Sequence, residues 1–458
     1  MKRPFALVPL LLLAAAAPAP AAEATFDAAT SRRLATLRID EALDVAAFPV
    51  GAAGSAPIHF KRVRVYADGA TIDVIENGKV THLPLSDRIF LRGYSSDGSV
   101  RVALAFEADG TLAQGSQTSD AGTFAVRGQY DKTGALRFAT LSEESTRPPG
   151  SHVDYSCGNE NIDLQDHSSS LNLKAQLDRT MRAPVAQPDA VAAGPFRTAM
   201  VALDTDSKFM AVFSNNTSDA RNWIATLFNT MNTMYENDLN VQLVIGKTIL
   251  RVGAAGDPYT SLGSGFSTVG EMDIFANYWK TNESRVPRAF TALLSGAIPA
   301  SGGSCQASGV AWIDEYCDGG HANGADTAGS YSLDKICSSK TIDAGTQIAS
   351  RILGHELGHN FGADHTHCTD KTTGAARTGT NTIDTCYNGE APIGCYGGAA
   401  TTCPGSAGTI MSYCHLGACP NDNLLQFHAT QINKTLLPQI TANTPVCINN
   451  FIFFNDFD

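Results

Sequence analysis

Residues 355–365 read His355-Glu356-Leu357-Gly358-His359-Asn360-Phe361-Gly362-Ala363-Asp364-His365. On a helix, His355 and His359 differ by about 40° around the axis, so both imidazoles share one face. Two nitrogens on one face can reach one zinc ion. Glu356 sits beside the first histidine, where a carboxylate can take a proton from an activated water. His365 lies about 240° beyond His359 on a continuing helix and could not join it there. Gly362 supplies the way out, because a left-handed glycine stops a helix and turns the chain back. Three histidines then leave one coordination position open, the mark of a catalytic zinc site rather than a structural one.

The sequence before this motif has an α/β texture. Arg197 to Phe213 reads as a strand. Asp219 to Asp238 reads as a helix, with Ile224, Leu227, Phe228, Met231, Met234 and Tyr235 at helical spacing. Asn240 to Val252 reads as a strand and Thr268 to Asn282 as a helix. Arg288 to Leu294 and Gly309 to Ile313 read as further strands, and Thr346 to Asn360 as the helix that carries the histidines. Further upstream, residues 56–140 alternate at period two, as in Val100, Val102, Leu104 and Phe106. Turn dipeptides Asp68-Gly69, Asn77-Gly78, Asp97-Gly98 and Asp109-Gly110 punctuate them and predict a meander of hairpins. Residues 180–195 are rich in Ala and Pro, lack periodicity and mark a linker open to cleavage. Arg179, Arg182 and Arg197 are candidate processing sites.

Composition excludes several functions. The 33 Lys and Arg against 45 Asp and Glu leave a net charge of −12, the wrong sign for a nucleic-acid binder. Lys2 and Arg3 precede an apolar run from Phe5 to Ala17, followed by Ala19-Pro20-Ala21 and Ala22-Glu23-Ala24 as candidate cleavage sites. This is the layout of a secretory signal peptide over 1–22. The run is short of the roughly 20 apolar residues a membrane span needs, and no later segment is long or apolar enough. The expected product is secreted or extracellular, with the periplasm also open, in a compartment where disulfides persist. Four phenylalanines lie in residues 447–458, a tail that reads either as a terminal strand or as a docking segment. Calcium finds no EF-hand pattern to support it. Acceptor sequons begin at Asn215, Asn216, Asn282 and Asn433.

The pattern HExxHxxGxxH, with Thr409-Ile410-Met411-Ser412-Tyr413-Cys414 downstream as a Met-turn, resembles the metzincin zinc endopeptidases. Within them it is most similar to the adamalysin/reprolysin branch, in a secreted, bacterial-type form, over roughly residues 197–447. The resemblance implies an α/β (α+β) catalytic domain with a mixed sheet and a long active-site helix, preceded by a β-rich prodomain. The expected boundaries are a prodomain over 23–194, a catalytic domain over 195–447 divided near 362, and a tail over 448–458. It implies one catalytic Zn²⁺ held by His355, His359 and His365, Glu356 as general base, and Met411 as an apolar floor. Polypeptide substrates are the implied partners, with the prodomain as inhibitor. A non-catalytic secreted zinc protein is the alternative. Thr366 and Thr409 depart from the adamalysin pattern. Tyr413 stands where astacins and serralysins have a tyrosine that ligates zinc or stabilises the transition state; a buried structural tyrosine is the other reading. His321, His367, His415 and His428 have no ligand spacing with a partner and read as surface or core histidines.

The 11 cysteines divide unevenly. Cys157 precedes the linker. Cys305, Cys317, Cys337, Cys368, Cys386, Cys395, Cys403, Cys414, Cys419 and Cys447 follow it and can form five bridges. Three of these precede Gly362 and seven follow it, so full pairing forces a bridge between the subdomains. The family resemblance suggests Cys317 with Cys447. Cys157-Gly158 resembles the cysteine switch of metzincin prodomains, in which a thiolate fills the open zinc position of the latent form. The alternative is an unpaired buried cysteine.

Overall fold

The computed structural model describes residues 23–142, 153–158, 196–298, 305–337 and 346–450, apart from 35, 52–53, 402, 404–406, 418 and 420–421. The leader at 1–22, the linker at 180–195 with Arg179 and Arg182, and the phenylalanines of the tail lie outside these residues.

The alternating N-terminal sequence forms ten strands: β1 (Glu23–Phe26), β2 (Ala42–Val50), β3 (Gly54–Val63), β4 (Tyr66–Glu76), β5 (Lys79–Leu83), β6 (Ile89–Tyr94), β7 (Arg101–Phe106), β8 (Leu112–Ser119), β9 (Gly122–Tyr130) and β10 (Leu136–Ser142). Eight of them make an antiparallel sheet in the order β1-β10-β9-β8-β7-β6-β3-β2. Its inner face is sealed by Phe26, Phe48, Phe60 and Phe138, whose rings meet at centroid distances of 4.6–6.4 Å. Asp97-Gly98 and Asp109-Gly110 turn between strands as expected, and Asn77-Gly78 closes the β4–β5 hairpin. Asp68-Gly69 does not end a strand. It loops out within β4, where Gly69 takes φ +73° and the register slips.

The β4–β5 hairpin also leaves the meander. It joins a second, nine-stranded sheet made mostly by the C-terminal half. Along its main path that sheet runs β11 (Val153–Cys157), β15 (Cys305–Ala311), β18 (Tyr331–Cys337), β14 (Phe290–Ile298), β12 (Arg197–Thr205), β13 (Val241–Val252), β4, β5. The strands from β18 to β4 are mutually parallel, while β15 is antiparallel to β18. Residues from the N-terminal region therefore cap both edges. A two-residue strand, Asn449–Asn450, adds antiparallel to Arg197 and Thr198, which places the start of the tail on the sheet.

The expected strand Arg197–Phe213 is shorter. Asp206 accepts a hydrogen bond from Phe209 N (2.6 Å) and caps a helix over Ser207–Val212. The apolar run there fits either period, and the cap decides it.

The long helix Thr217–Leu239 lies between the two sheets and is buried on nearly every side. One face packs Leu227, Phe228 and Met231 with Val201 and Leu203 of the nine-stranded sheet. The other packs Ala225 with Val65, Phe90 and Ala105. Buried polar groups on that face need partners, and the N-terminal sheet supplies them. Asn229 Nδ2 donates to the carbonyls of Leu91 (3.3 Å) and Leu104 (3.1 Å). Arg92 pairs with Glu236 and Arg101 with Asp238, each at 2.8 Å. The helix Val269–Asn282 packs Met272, Phe275 and Trp279 with Leu293, Val310 and Leu333.

Disulfides join Cys317 to Cys447, Cys368 to Cys395, Cys386 to Cys414 and Cys403 to Cys419. The first crosses between the parts on either side of Gly362, as parity required and the resemblance suggested. Cys337 is also disulfide-bonded, and Cys157 is a buried thiol outside the disulfides. No helix among the described residues is long and apolar enough to cross a membrane.

Candidate metal centre

The helix Gln347–Asn360 carries His355 and His359 on one buried face. It ends where the sequence required. Gly362 takes φ +102°, and Gly362 N and Ala363 N donate to the carbonyls of His359 (2.8 Å) and Gly358 (3.0 Å). The reversal brings His365 back to the other two.

The three Nε2 atoms converge. His355 Nε2 lies 3.0 Å from His359 Nε2 and 3.2 Å from His365 Nε2. Nitrogens about 2.05 Å from a shared tetrahedral zinc would stand about 3.3 Å apart. Each Nδ1–H is given away elsewhere: to the Ile410 carbonyl (2.8 Å), the Ala363 carbonyl (2.7 Å) and the Glu390 carboxylate (2.7 Å). That fixes the tautomers and leaves three Nε2 lone pairs aimed at one point, an arrangement that asks for a cation. Burial, then His365, lowers the His355 pKa to about 3. Burial and the two other imidazoles hold His359 well below its ordinary value. For His365 burial opposes the charge, but Glu390 outweighs it and raises the pKa.

Met411 lies beneath the helix. Its Sδ stands where a Cβ on Gly358 would be 2.6 Å away, so the glycine is what admits the methionine. The Met411 carbonyl accepts from Thr366 N (3.0 Å), tying the Met-turn to the segment after His365.

The fourth side of the site belongs to the N-terminal region. β11 lies along the outer edge of β15, parallel to it, with Cys157 opposite Gly309. Cys157 Sγ and the three histidine nitrogens form one cluster with all ligand atoms within 4.8 Å. The thiol donates to Glu356 Oε2 at 3.2 Å. Burial, then the nearby Asp334, pushes the Glu356 pKa well up, partly offset by that thiol. Tyr413 holds the same residue by its backbone. Its phenol oxygen accepts from Cys157 N (2.6 Å), and its hydroxyl donates to Cys157 O (2.8 Å). The Tyr413 ring lies 4.4 Å from the His365 ring between centroids.

Two residues at this site escaped the sequence reading. Glu390 is buried and accepts from His365 and, at 2.6 Å, from His367 Nε2. His367 is therefore a core histidine, and through Glu390 it supports His365. Cys368 stands close to the same carboxylate, but its sulfur is spent in a disulfide, so these groups orient His365 and do not form a second metal site. Only a generic signal pointed to Glu390: an acid in a cysteine-rich loop. His415 stacks on Tyr155 with centroids 3.9 Å apart. His321 pairs with Asp318 (2.7 Å) and His428 accepts from Thr430 N (3.2 Å), both local roles.

The family model Reprolysin_5, metallo-peptidase family M12, matches residues 196–424. The chain belongs to metallopeptidase family M12. The matched span runs from the start of β12 past the Met-turn, so it contains the three histidines, Glu356, Glu390 and Tyr413 but not Cys157. Membership in family M12 implies a zinc cofactor. A search of curated proteins returned no match. Among solved structures, a chaperone–substrate complex aligns with 38% of this M12 chain at 14% identity and a TM-score of 0.25. The chain spans about 25% of that protein's length, and so slight a likeness bears on neither fold nor function.

Proposed function

We propose that this M12 chain is an exported zinc endopeptidase made in a latent form. In this reading, residues 1–22 are a leader, 23–194 a pro-region and 195–447 the peptidase domain. The observation that carries it is the convergence of three buried Nε2 atoms with the Cys157 thiol, which lies outside the disulfides. His355, His359 and His365 would hold the metal. Bound there, Zn²⁺ supplies Lewis acidity toward a carbonyl and toward water. In the latent form, Cys157 fills the position a substrate would need. Its sulfur also lies 3.2 Å from Glu356 Oε2 and keeps water from that carboxyl, and its backbone occupies Tyr413.

Removal of β11 frees all three positions. An extended polypeptide can then add to the edge of β15 by main-chain hydrogen bonds. Glu356 accepts the proton of the attacking water and delivers it to the leaving amine. The Tyr413 hydroxyl, no longer bonded to Cys157, donates to the carbonyl oxygen as negative charge develops. Met411 keeps the floor of the site apolar.

Glu356→Ala in the processed chain is expected to keep its zinc and to lose casein hydrolysis by roughly 10²–10⁴-fold. A chelator should abolish the wild-type activity and added zinc restore it. Wild-type turnover by Glu356→Ala would refute the role of Glu356, and activity indifferent to chelation would refute the metal.

A further inference from the structure

Side chains two apart on a strand point the same way. Tyr155 therefore faces the histidine helix as Cys157 does, one step further along β15, opposite Ala307. It fills a distinct pocket there and is almost wholly buried. Ile298, Ala307, Ile348 and Ile352 form apolar walls. The His415 ring forms a flat side, stacked at 3.9 Å with 14° between planes. Asn423 Nδ2 closes the end and donates to the Tyr155 hydroxyl at 2.8 Å. His415 Nε2 meanwhile bonds the Tyr155 carbonyl at 2.8 Å. The Tyr155 and His355 rings lie 6.5 Å apart between centroids, so the pocket opens beside the metal centre.

We propose that the pocket now filled by Tyr155 is the side-chain recognition site of the peptidase, and that it takes an aromatic side chain, tyrosine best. The proposal rests on the peptidase reading above. When β11 departs, a polypeptide on the same edge of β15 presents a side chain to the same walls. An imidazole face offers stacking to a ring. Asn423 Nδ2 keeps the Ser412 carbonyl for one N–H, but its other N–H loses its acceptor unless the incoming ring carries a hydroxyl, and an unmet buried donor is costly. The pocket thus prefers Tyr over Phe, and both over aliphatic residues. Tyr155 is the chain's own ligand for that site, and it helps hold the thiol in place.

Two experiments test this. The first digests a peptide library with the processed, zinc-loaded chain. Aromatic residues should be enriched at one position beside the cleaved bond, with Tyr over Phe by about tenfold. Asn423→Leu should remove the Tyr-over-Phe margin, and His415→Leu should weaken the preference for rings. Cleavage without aromatic enrichment, or enrichment untouched by both variants, overturns the pocket while leaving the peptidase reading intact. Absence of any cleavage counts against the peptidase reading instead. The second experiment needs no activity: the rate at which a maleimide modifies Cys157 in the unprocessed chain. Tyr155→Ala should raise that rate at least tenfold, and Tyr155→Phe only a few-fold. Equal rates for wild type and both variants would show that the pocket holds no ring and would overturn the proposal.

Discussion

The nine-stranded sheet has two edges, and the N-terminal region covers both in different ways. At the metal edge a single five-residue strand, β11, lies on β15. At the far edge an eleven-residue strand, β4, continues into a hairpin and pairs with β13 from Thr71 to Glu76. The charges differ too. Beneath the far side, Glu236 and Asp238 each meet an arginine. At the metal edge Glu356 meets a thiol, and Asp334 Oδ1 has no partner among the described residues. Paired charge marks structure, whereas buried carboxyl groups that have no cation and are held in the neutral form mark a site kept ready for chemistry. The far contact is thus built to stay and the near one to leave.

Breaking the far contact should have the largest effect. With site-specific protease sequences placed within 143–150 and within 180–195 and both cut completely, residues 23–142 should co-elute with the peptidase domain on size exclusion, even at high salt, while the β11 peptide departs. Arg101 donates to the Leu425 carbonyl (2.9 Å) as well as pairing with Asp238, so it binds the helix and the segment after the Met-turn at once. Arg101→Ala leaves Asp238 buried without its cation, a loss of about 3–5 kcal/mol. Separation of the cut wild-type parts, or a melting temperature unchanged by Arg101→Ala, would remove the distinction between the edges.

A smaller effect is expected at the near edge. Glu390→Gln keeps the shape of the group but weakens its grip on His365 and His367. Zinc affinity should fall by about 10–100-fold, read by competition with a chelating dye. An unchanged affinity would mean that the Cys368–Cys395 loop, not the carboxylate, positions His365.

A further effect concerns Asp334, whose pKa burial raises to about 8 from an ordinary 3.8, against a hydrogen bond from Ser332. The folded state then holds a proton that the unfolded state has released, so stability falls as pH rises from about 4 towards 8. Asp334→Asn should remove that slope, raising the melting temperature more at pH 8 than at pH 5. A parallel shift at both values would show that Asp334 ionises normally in the fold.

The convergence of the three histidines was legible because a helix and one glycine set their geometry within eleven residues. Met411 was legible as a motif, and Cys157 as the odd member of a count. What escaped depends on distant pairing. Residues 66–83 alternate as a hairpin should, but nothing local says that β4 will join a strand some 180 residues later. β11 is too short to declare itself, and β18, buried on all sides, carries no alternation to read. Glu390 finds His365 only through the fold of a disulfide-tied loop. The long helix was legible from its apolar spacing, but nothing local says that its polar face is buried too, against the N-terminal sheet.

The central claim is that Cys157 completes the coordination of a catalytic zinc until β11 is removed. Zinc K-edge X-ray absorption tests it most directly. The unprocessed chain should show one sulfur at about 2.3 Å with nitrogen at about 2.0–2.1 Å, and the processed chain only nitrogen and oxygen. A zinc site with no sulfur neighbour in the unprocessed chain would contradict the account.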